Sequence, residues 1–181
     1  MVEERQEHIK WSDKYSMGIK LIDDQHKGLL DFVNELFSHV TGNEEEERVY
    51  FDGVIQQALE YVSNHFVTEE ECMRAENFPD YTKHQMAHNE FKLAVIKSAN
   101  GFNAGEVLAL MDFARFLENW IITHVAGMDK EYSHFFRKTG AIKKDGKLNN
   151  ALEEIIAKRT KLEPIKIFVE NAKYHKGTLS P

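Results

Sequence analysis

The sequence predicts an all-α protein: an antiparallel up-down four-helix bundle with an extended N-terminal arm and a short helical C-terminal extension. Three observations carry this. Apolar residues recur at intervals of three and four through four long segments. The segments are separated by TGNEEEE at 41–48, AENFPD at 75–80 and NGFNAG at 100–105, which hold the Gly, Pro, Asn and Asp that stop and restart helices. Finally, each long segment supplies histidine, two of them at a spacing that places paired side chains on one helix face.

Residues 1–18, with Trp11, Tyr15 and Met17, read as an arm lying across the bundle. The first helix, 19–40, carries Ile22, Leu29, Leu30, Val33, Leu36 and Phe37; the second, 47–73, carries Val54, Ile55, Leu59, Val62 and Phe66. Phe91, Val95 and Ile96 mark the third, 80–99, and Leu110, Phe113, Leu117, Ile121 and Val125 the fourth, 104–127. Asn43 with Glu46, and Asn103 with Glu106, sit at capping-box spacing, so helices are expected to begin there. Short connections favour antiparallel neighbours. The bundle is assigned to residues 1–140 and the extension, of unknown role, to 141–181. In the extension Leu148, Leu152, Ile155 and Ile156 predict one short helix and Pro164 opens a second, although IKIFV at 165–169 alternates well enough to be a strand.

Composition narrows the function. With 42% hydrophobic and 29% charged residues the chain is globular in type, and 181 residues bury one sizeable core. A formal charge of -7, from 30 acidic and 23 basic residues, disfavours nucleic acid and anionic membrane as partners. No apolar run resembles a signal-peptide core or a membrane span, so a soluble, cytoplasmic protein is expected. The single cysteine, Cys72, forms no intramolecular disulfide and reads as inert. The EEEE tract at 44–47 reads as a solvated first helical turn, where negative charge complements the helix dipole.

Nine histidines are the unusual count. His65 and Glu69 are four apart, as are His84 and His88, and four residues of α-helix leave an offset of only about 40°. The first helix adds His26 and the fourth adds His124, with Asp129 five residues later. Five residues correspond to roughly 140° on a regular helix, so the helix must end or distort, with Gly127 as the candidate break, if both are to face one centre. A lone histidine is more often a packed or surface residue than a ligand, and His8, His39, His134 and His175, which lack such partners, are read that way. Five imidazoles and two carboxylates converging in a bundle core without metal would instead carry a large desolvation cost. They are too many for one ion and suit two first-row ions. If both carboxylates and one solvent oxygen bridge the pair, the histidines divide three and two. One ion is then six-coordinate, and the other is five-coordinate with a position open to a diatomic ligand.

DDQH, HFVTEE, HQMAH and HVAGMD, in that order on four successive helices, resemble hemerythrin and its bacterial relatives over about Trp11 to Tyr132. The resemblance implies two non-haem iron ions, oxo- or hydroxo-bridged, with His26, His65, Glu69, His84, His88, His124 and Asp129 as ligands and the two carboxylates as bridges. It also implies that dioxygen binds end-on at the five-coordinate iron, takes up two electrons and the bridging proton, and leaves by the reverse path. The expected function is therefore reversible dioxygen binding by a carrier, store or delivery protein. A sensor signalling through the extension to a protein partner and a di-iron peroxidase or oxidase are the alternatives. The histidine-rich shell supports high-valent iron less than a glutamate-rich one, which favours binding over oxidation. The neighbours named from spacing, Phe66, Trp120, Ile121 and Val125, are apolar and offer no acid or base beside the open position. Ile121, one turn before His124, is expected nearest the bound oxygen. No hemerythrin counterpart is recognised for residues 141–181, and that segment is expected to be dispensable for the centre.

Overall fold

A computed structural model describes residues 8–103 and 110–162. Its long helices are α1 (Lys20–Ser38), α2 (Glu44–Ala75), α3 (Tyr81–Asn103) and α4 (Leu110–Thr123). A five-residue π-helical turn, His124–Met128, joins α4 directly to α5 (Asp129–Thr139), and α6 (Asn150–Leu162) follows after a turn. The candidate ligands fall early in α1, late in α2, early in α3 and at the end of α4. That alternation brings them to one end of a bundle whose helices run up and down in turn. No described helix is long and apolar enough to cross a membrane.

Local chemistry sets the helix ends. Asn43 caps α2, its side chain accepting from the Glu45 and Glu46 backbone N–H groups. The return bond expected from Glu46 comes instead from Glu47, whose Oε1 accepts from the Thr41 and Gly42 N–H groups at 2.8 Å each. The loop amides need that carboxylate, since the Asn43 N–H already donates to Thr41 Oγ1. Helix α2 accordingly begins three residues before the expected start at 47, and α3 runs through Asn100 and Gly101 to Asn103 rather than stopping at 99. Helical bonding overrides the Asn-Gly signal there. Glu106, the partner expected for Asn103, lies outside the described residues.

The core fills the space between the helices with Ile22, Leu29, Val33, Leu36, Phe51, Phe91, Phe113 and Leu117, all buried. Ile96, expected on the buried face of α3, is instead exposed, as are Met86 and Leu93 on the same helix. The arm is not wholly extended: it contains a 3₁₀ turn at Asp13–Tyr15 and buries Ile9, Tyr15, Met17 and Ile19. Asn34 holds its start by accepting from the Ile9 N–H and donating to the Ile9 carbonyl. Asp23 holds its end, accepting from the Met17 and Gly18 N–H groups and from Ser16 Oγ. Ser133 and Arg137 of α5 both donate to the Met17 carbonyl. Gly18 has φ +79, and a Cβ there would stand 2.2 Å from Arg137 Nη2, so both the backbone and this clamp call for glycine.

The extension packs on the bundle as far as it is described. Ala141, Ile142 and Leu152 are buried, and Arg159 makes a bidentate pair with Glu71 of α2 at 2.7 and 2.9 Å. Of the stripe expected for this helix, Leu152, Ile155 and Ile156 lie on α6, while Leu148 precedes it and pairs with Ile142 in an isolated β-bridge. The second helix or strand expected from Pro164 onward lies outside the described residues.

The chain does not break at Gly127. The Asp129 N–H bonds to the His124 carbonyl, the i→i+5 pattern of a π turn. The wider turn carries residues five apart toward the same face, meeting the demand that His124 and Asp129 share one centre. Gly127 is exposed, and a Cβ there would meet nothing within 4 Å. Gly127→Ala is therefore expected to raise stability by about 0.5–1 kcal/mol, by restricting the unfolded chain, and to leave metal content unchanged. Thermal melts with metal analysis check this, and loss of metal would show that the turn needs glycine's freedom.

Candidate metal centre

All seven candidate residues meet in the structure, and all are buried: His26, Glu69, His88 and Asp129 at 0% exposure, His65 and His84 at 1%, and His124 at 4%. Two groups of ligand atoms form, each spanning no more than 4.8 Å. The larger is Glu69, His84, His88, His124 and Asp129; the smaller is His26, His65 and Glu69.

In the larger group the three Nε2 atoms make a near-equilateral triangle, with His84–His88 at 3.1, His88–His124 at 3.0 and His84–His124 at 3.2 Å. Neighbouring ligands about 2.1 Å from an octahedral ion stand roughly 3.0 Å apart, so the triangle matches one face of such an ion. Asp129 turns Oδ1 to His84 and His124 at 3.2 Å each and Oδ2 to His26 at 3.4 Å. Glu69 turns Oε2 to His88 at 3.3 Å and to His65 at 3.6 Å, and Oε1 to His26 at 3.5 Å. Both carboxylates thus stand between the two histidine groups.

Protein atoms alone leave this arrangement unsatisfied. His26 Nε2, Glu69 Oε2 and both oxygens of Asp129 are buried without a hydrogen-bond partner. An ionised carboxylate taken out of water costs several kcal/mol unless it is compensated. Two cations seated between the histidine groups would meet every one of these atoms, so the residues fit a pair of metal ions. Electrostatics agree. Burial opposes charging of His26, yet the Asp129 and Glu69 carboxylates, 3.4 and 3.5 Å from its Nε2, overcome it and push its pKa up to about 10. The same carboxylates outweigh burial at His84 and push it up to about 9. At His65 burial prevails, helped by neighbouring His26, and the pKa falls to about 3. Burial would raise both carboxylates, but the surrounding imidazoles hold Glu69 and Asp129 well below the usual range.

Outer hydrogen bonds orient the rings. His26 Nδ1–H donates to the Tyr15 carbonyl at 3.2 Å, His65 Nδ1–H to Gln25 Oε1 at 3.1 Å and His88 Nδ1–H to Glu70 Oε1 at 3.1 Å. Tyr132, fully buried, donates from its hydroxyl to Glu69 Oε1 at 2.7 Å. Sequence reasoning missed Gln25, Glu70 and Tyr132. Each nonetheless lies beside a named ligand: Gln25 precedes His26, Glu70 follows Glu69, and Tyr132 is three residues, about one turn, after Asp129.

The apolar neighbours divide. Phe66 stacks on His88 with centroids 3.7 Å apart, and Trp120 on His124 at 4.2 Å, so both pack on the three-histidine group. Ile121 instead lines an apolar cavity of about 10 Å³ with Leu29, Val62, Phe91 and Leu117. Leu29 and Val62, also missed as cavity wall, stand one turn from His26 and His65, as Phe91 and Ile121 stand one turn from His88 and His124, so the wall draws on neighbours of both histidine groups. Val125 is buried next to His124. The remaining histidines have other surroundings: His8 stacks on Phe37, His39 on Tyr50, and His134 is exposed, while His175 lies outside the described residues. Cys72 is buried, and burial beside Glu69 pushes its thiol up to about 12, in keeping with an inert role.

Fold and site together define the class: a four-helix bundle built around a cation site rich in histidine and carboxylate. The family model described as hemerythrin HHE cation binding domain matches residues 17–135, and the chain belongs to that family. It is 31% identical to the bacteriohemerythrin of Methylococcus capsulatus, over 66% of this chain and 88% of that one. With the bacteriohemerythrin of Stenotrophomonas maltophilia it shares 30% identity over 69% of this chain and 79% of that one. Identity to the myohemerythrin of Theromyzon tessulatum is 23%, over 73% of this chain and 97% of that one. A wild-type hemerythrin crystal structure superposes with a TM-score of 0.61 at 29% identity, covering 70% of this chain and 96% of that one.

Metal ligation requires neutral imidazoles, whereas raised pKa values leave His26 and His84 protonated at pH 7.5 in the metal-free protein. Loading is expected to release roughly two protons per chain and to strengthen as pH rises toward 9–10. Calorimetry in buffers of differing ionisation enthalpy measures the release, and a count near zero would contradict the charge balance described here.

Proposed function

We propose that the chain, acting in the cytoplasm, binds dioxygen reversibly at two iron ions held by His26, His65, Glu69, His84, His88, His124 and Asp129. Its role is to carry, store or deliver the gas. One observation carries the reading: three imidazoles gather on one side of the paired carboxylates and two on the other, and an apolar cavity is walled by residues one turn from ligands of both groups. When bound, an iron pair supplies the reversible two-electron chemistry that dioxygen needs.

The chain's own residues do the rest. Glu69 and Asp129 join the two histidine groups. Tyr132 fixes one oxygen of Glu69, while Gln25 and the Tyr15 carbonyl fix the rings of the two-histidine group. Leu29, Val62 and Ile121 exclude water. Their cavity is close to the roughly 10–15 Å³ that one water occupies, but it offers water no hydrogen-bond partner. Dioxygen needs none. All ten side chains lining the cavity are apolar, so none donates or removes a proton there. This supports a binding protein over a peroxidase or oxidase.

Metal analysis with an optical spectrum of the reduced protein before and after oxygen tests the proposal. Two irons per chain and a spectral change reversed by removing oxygen are expected. Ile121→Ala is expected to admit water and several-fold faster loss of reversible oxygen uptake, with iron content unchanged. Uptake that persists as long as in wild type would remove Ile121 from the cavity's protective wall.

A further inference from the structure

The outer hydrogen bonds of the two histidine groups differ in charge. In the two-histidine group His26 and His65 donate to neutral acceptors, the Tyr15 carbonyl and the Gln25 amide oxygen. In the three-histidine group His88 donates to a carboxylate, Glu70, which is 7% exposed. Glu70 is itself held, its Oε2 accepting from Gln85 Nε2 at 2.9 Å, and the Gln85 amide also donates to the Tyr81 hydroxyl at 2.7 Å. The Arg74 guanidinium lies over the Tyr81 ring. Phe66 lies flat on the His88 imidazole, with an interplanar angle of 4°. Ring and carboxylate are thus both locked, and Gln85 and His88 are one turn apart on α3.

We propose that Glu70 is a positioning residue that makes the two metal sites electronically unequal. A ligating histidine that donates to a carboxylate becomes a more basic, more anionic donor, and the low dielectric of the core magnifies the effect. Glu70 directs that charge through His88 to the three-histidine ion. That ion is therefore bound more tightly and is the easier of the two to oxidise. Gln25 and Tyr15 withhold equivalent support from the two-histidine ion. The inference rests on the di-iron reading of the site.

Glu70→Gln keeps the shape and an acceptor oxygen but removes the charge, and Gln25→Glu places a charge on the opposite side. Stepwise Co(II) titration of the metal-free proteins and the midpoint potential of the iron-loaded ones are the readouts. Glu70→Gln is expected to weaken the tighter Co(II) step by roughly 10–100-fold and to raise the potential of the first oxidation, with circular dichroism unchanged. Gln25→Glu is expected to tighten the weaker Co(II) step and to lower the potential. Unchanged Co(II) affinity and potential in either folded variant, in a chain whose wild type holds two irons, overturns this inference alone. A wild-type chain that holds no iron pair overturns the functional reading and this inference with it.

Discussion

Glu69 and Asp129 lie fully buried at the centre of the bundle, and much of the surrounding structure compensates for that fact. Carboxylates held ionised out of water need positive charge close by. Five imidazoles surround them. In the metal-free chain, protons on His26 and His84 take the part of the cations. Metal ligation would need the same imidazoles neutral. The site is thus built around a charge that the polypeptide leaves for an ion to supply.

Rigid support for the cluster comes from several elements. The arm places the Tyr15 carbonyl behind His26 because Asp23 and α5 hold the residues that follow it. Helix α2 contributes Phe66 and Glu70 to one ring of α3, fixing it from its face and from its edge. The π turn sets Asp129 beside His124, and the same shift brings Tyr132 to Glu69. In its described part the extension grips α2 at Glu71, two residues from Glu69, so the helix that supplies a carboxylate to both histidine groups is braced from outside as well.

Apolar neighbours do two jobs. Phe66 and Trp120 lie against imidazoles and hold rings, whereas Ile121, Leu29 and Val62 enclose space. The division follows from helical geometry. Residues one turn along from a ligand extend the inner face lengthwise, and aromatic rings adjacent to that face fill the seams between helices.

The four-helix pattern and the pairs His65/Glu69 and His84/His88 were legible from spacing, because apolar period and i,i+4 pairs are both direct consequences of 3.6 residues per turn; the full set of seven came with the family resemblance. The five-residue step from His124 to Asp129 was legible as a demand for distortion, but not as a π turn. Hydrogen-bond register decided that, and Gly127 plays no visible part in it. The start of α2 behind Asn43 was legible from its capping signal, whereas the run of α3 to Asn103 was missed because helical bonding outlasts a local stop signal. The orienting roles of Gln25, Glu70 and Tyr132, and the split of the apolar set between ring support and cavity wall, depend on which neighbouring helix each side chain meets. Sequence determined which residues share a face of one helix. Tertiary structure alone decided what each face confronts across the bundle, since the relative rotation of packed helices is set by the whole core at once.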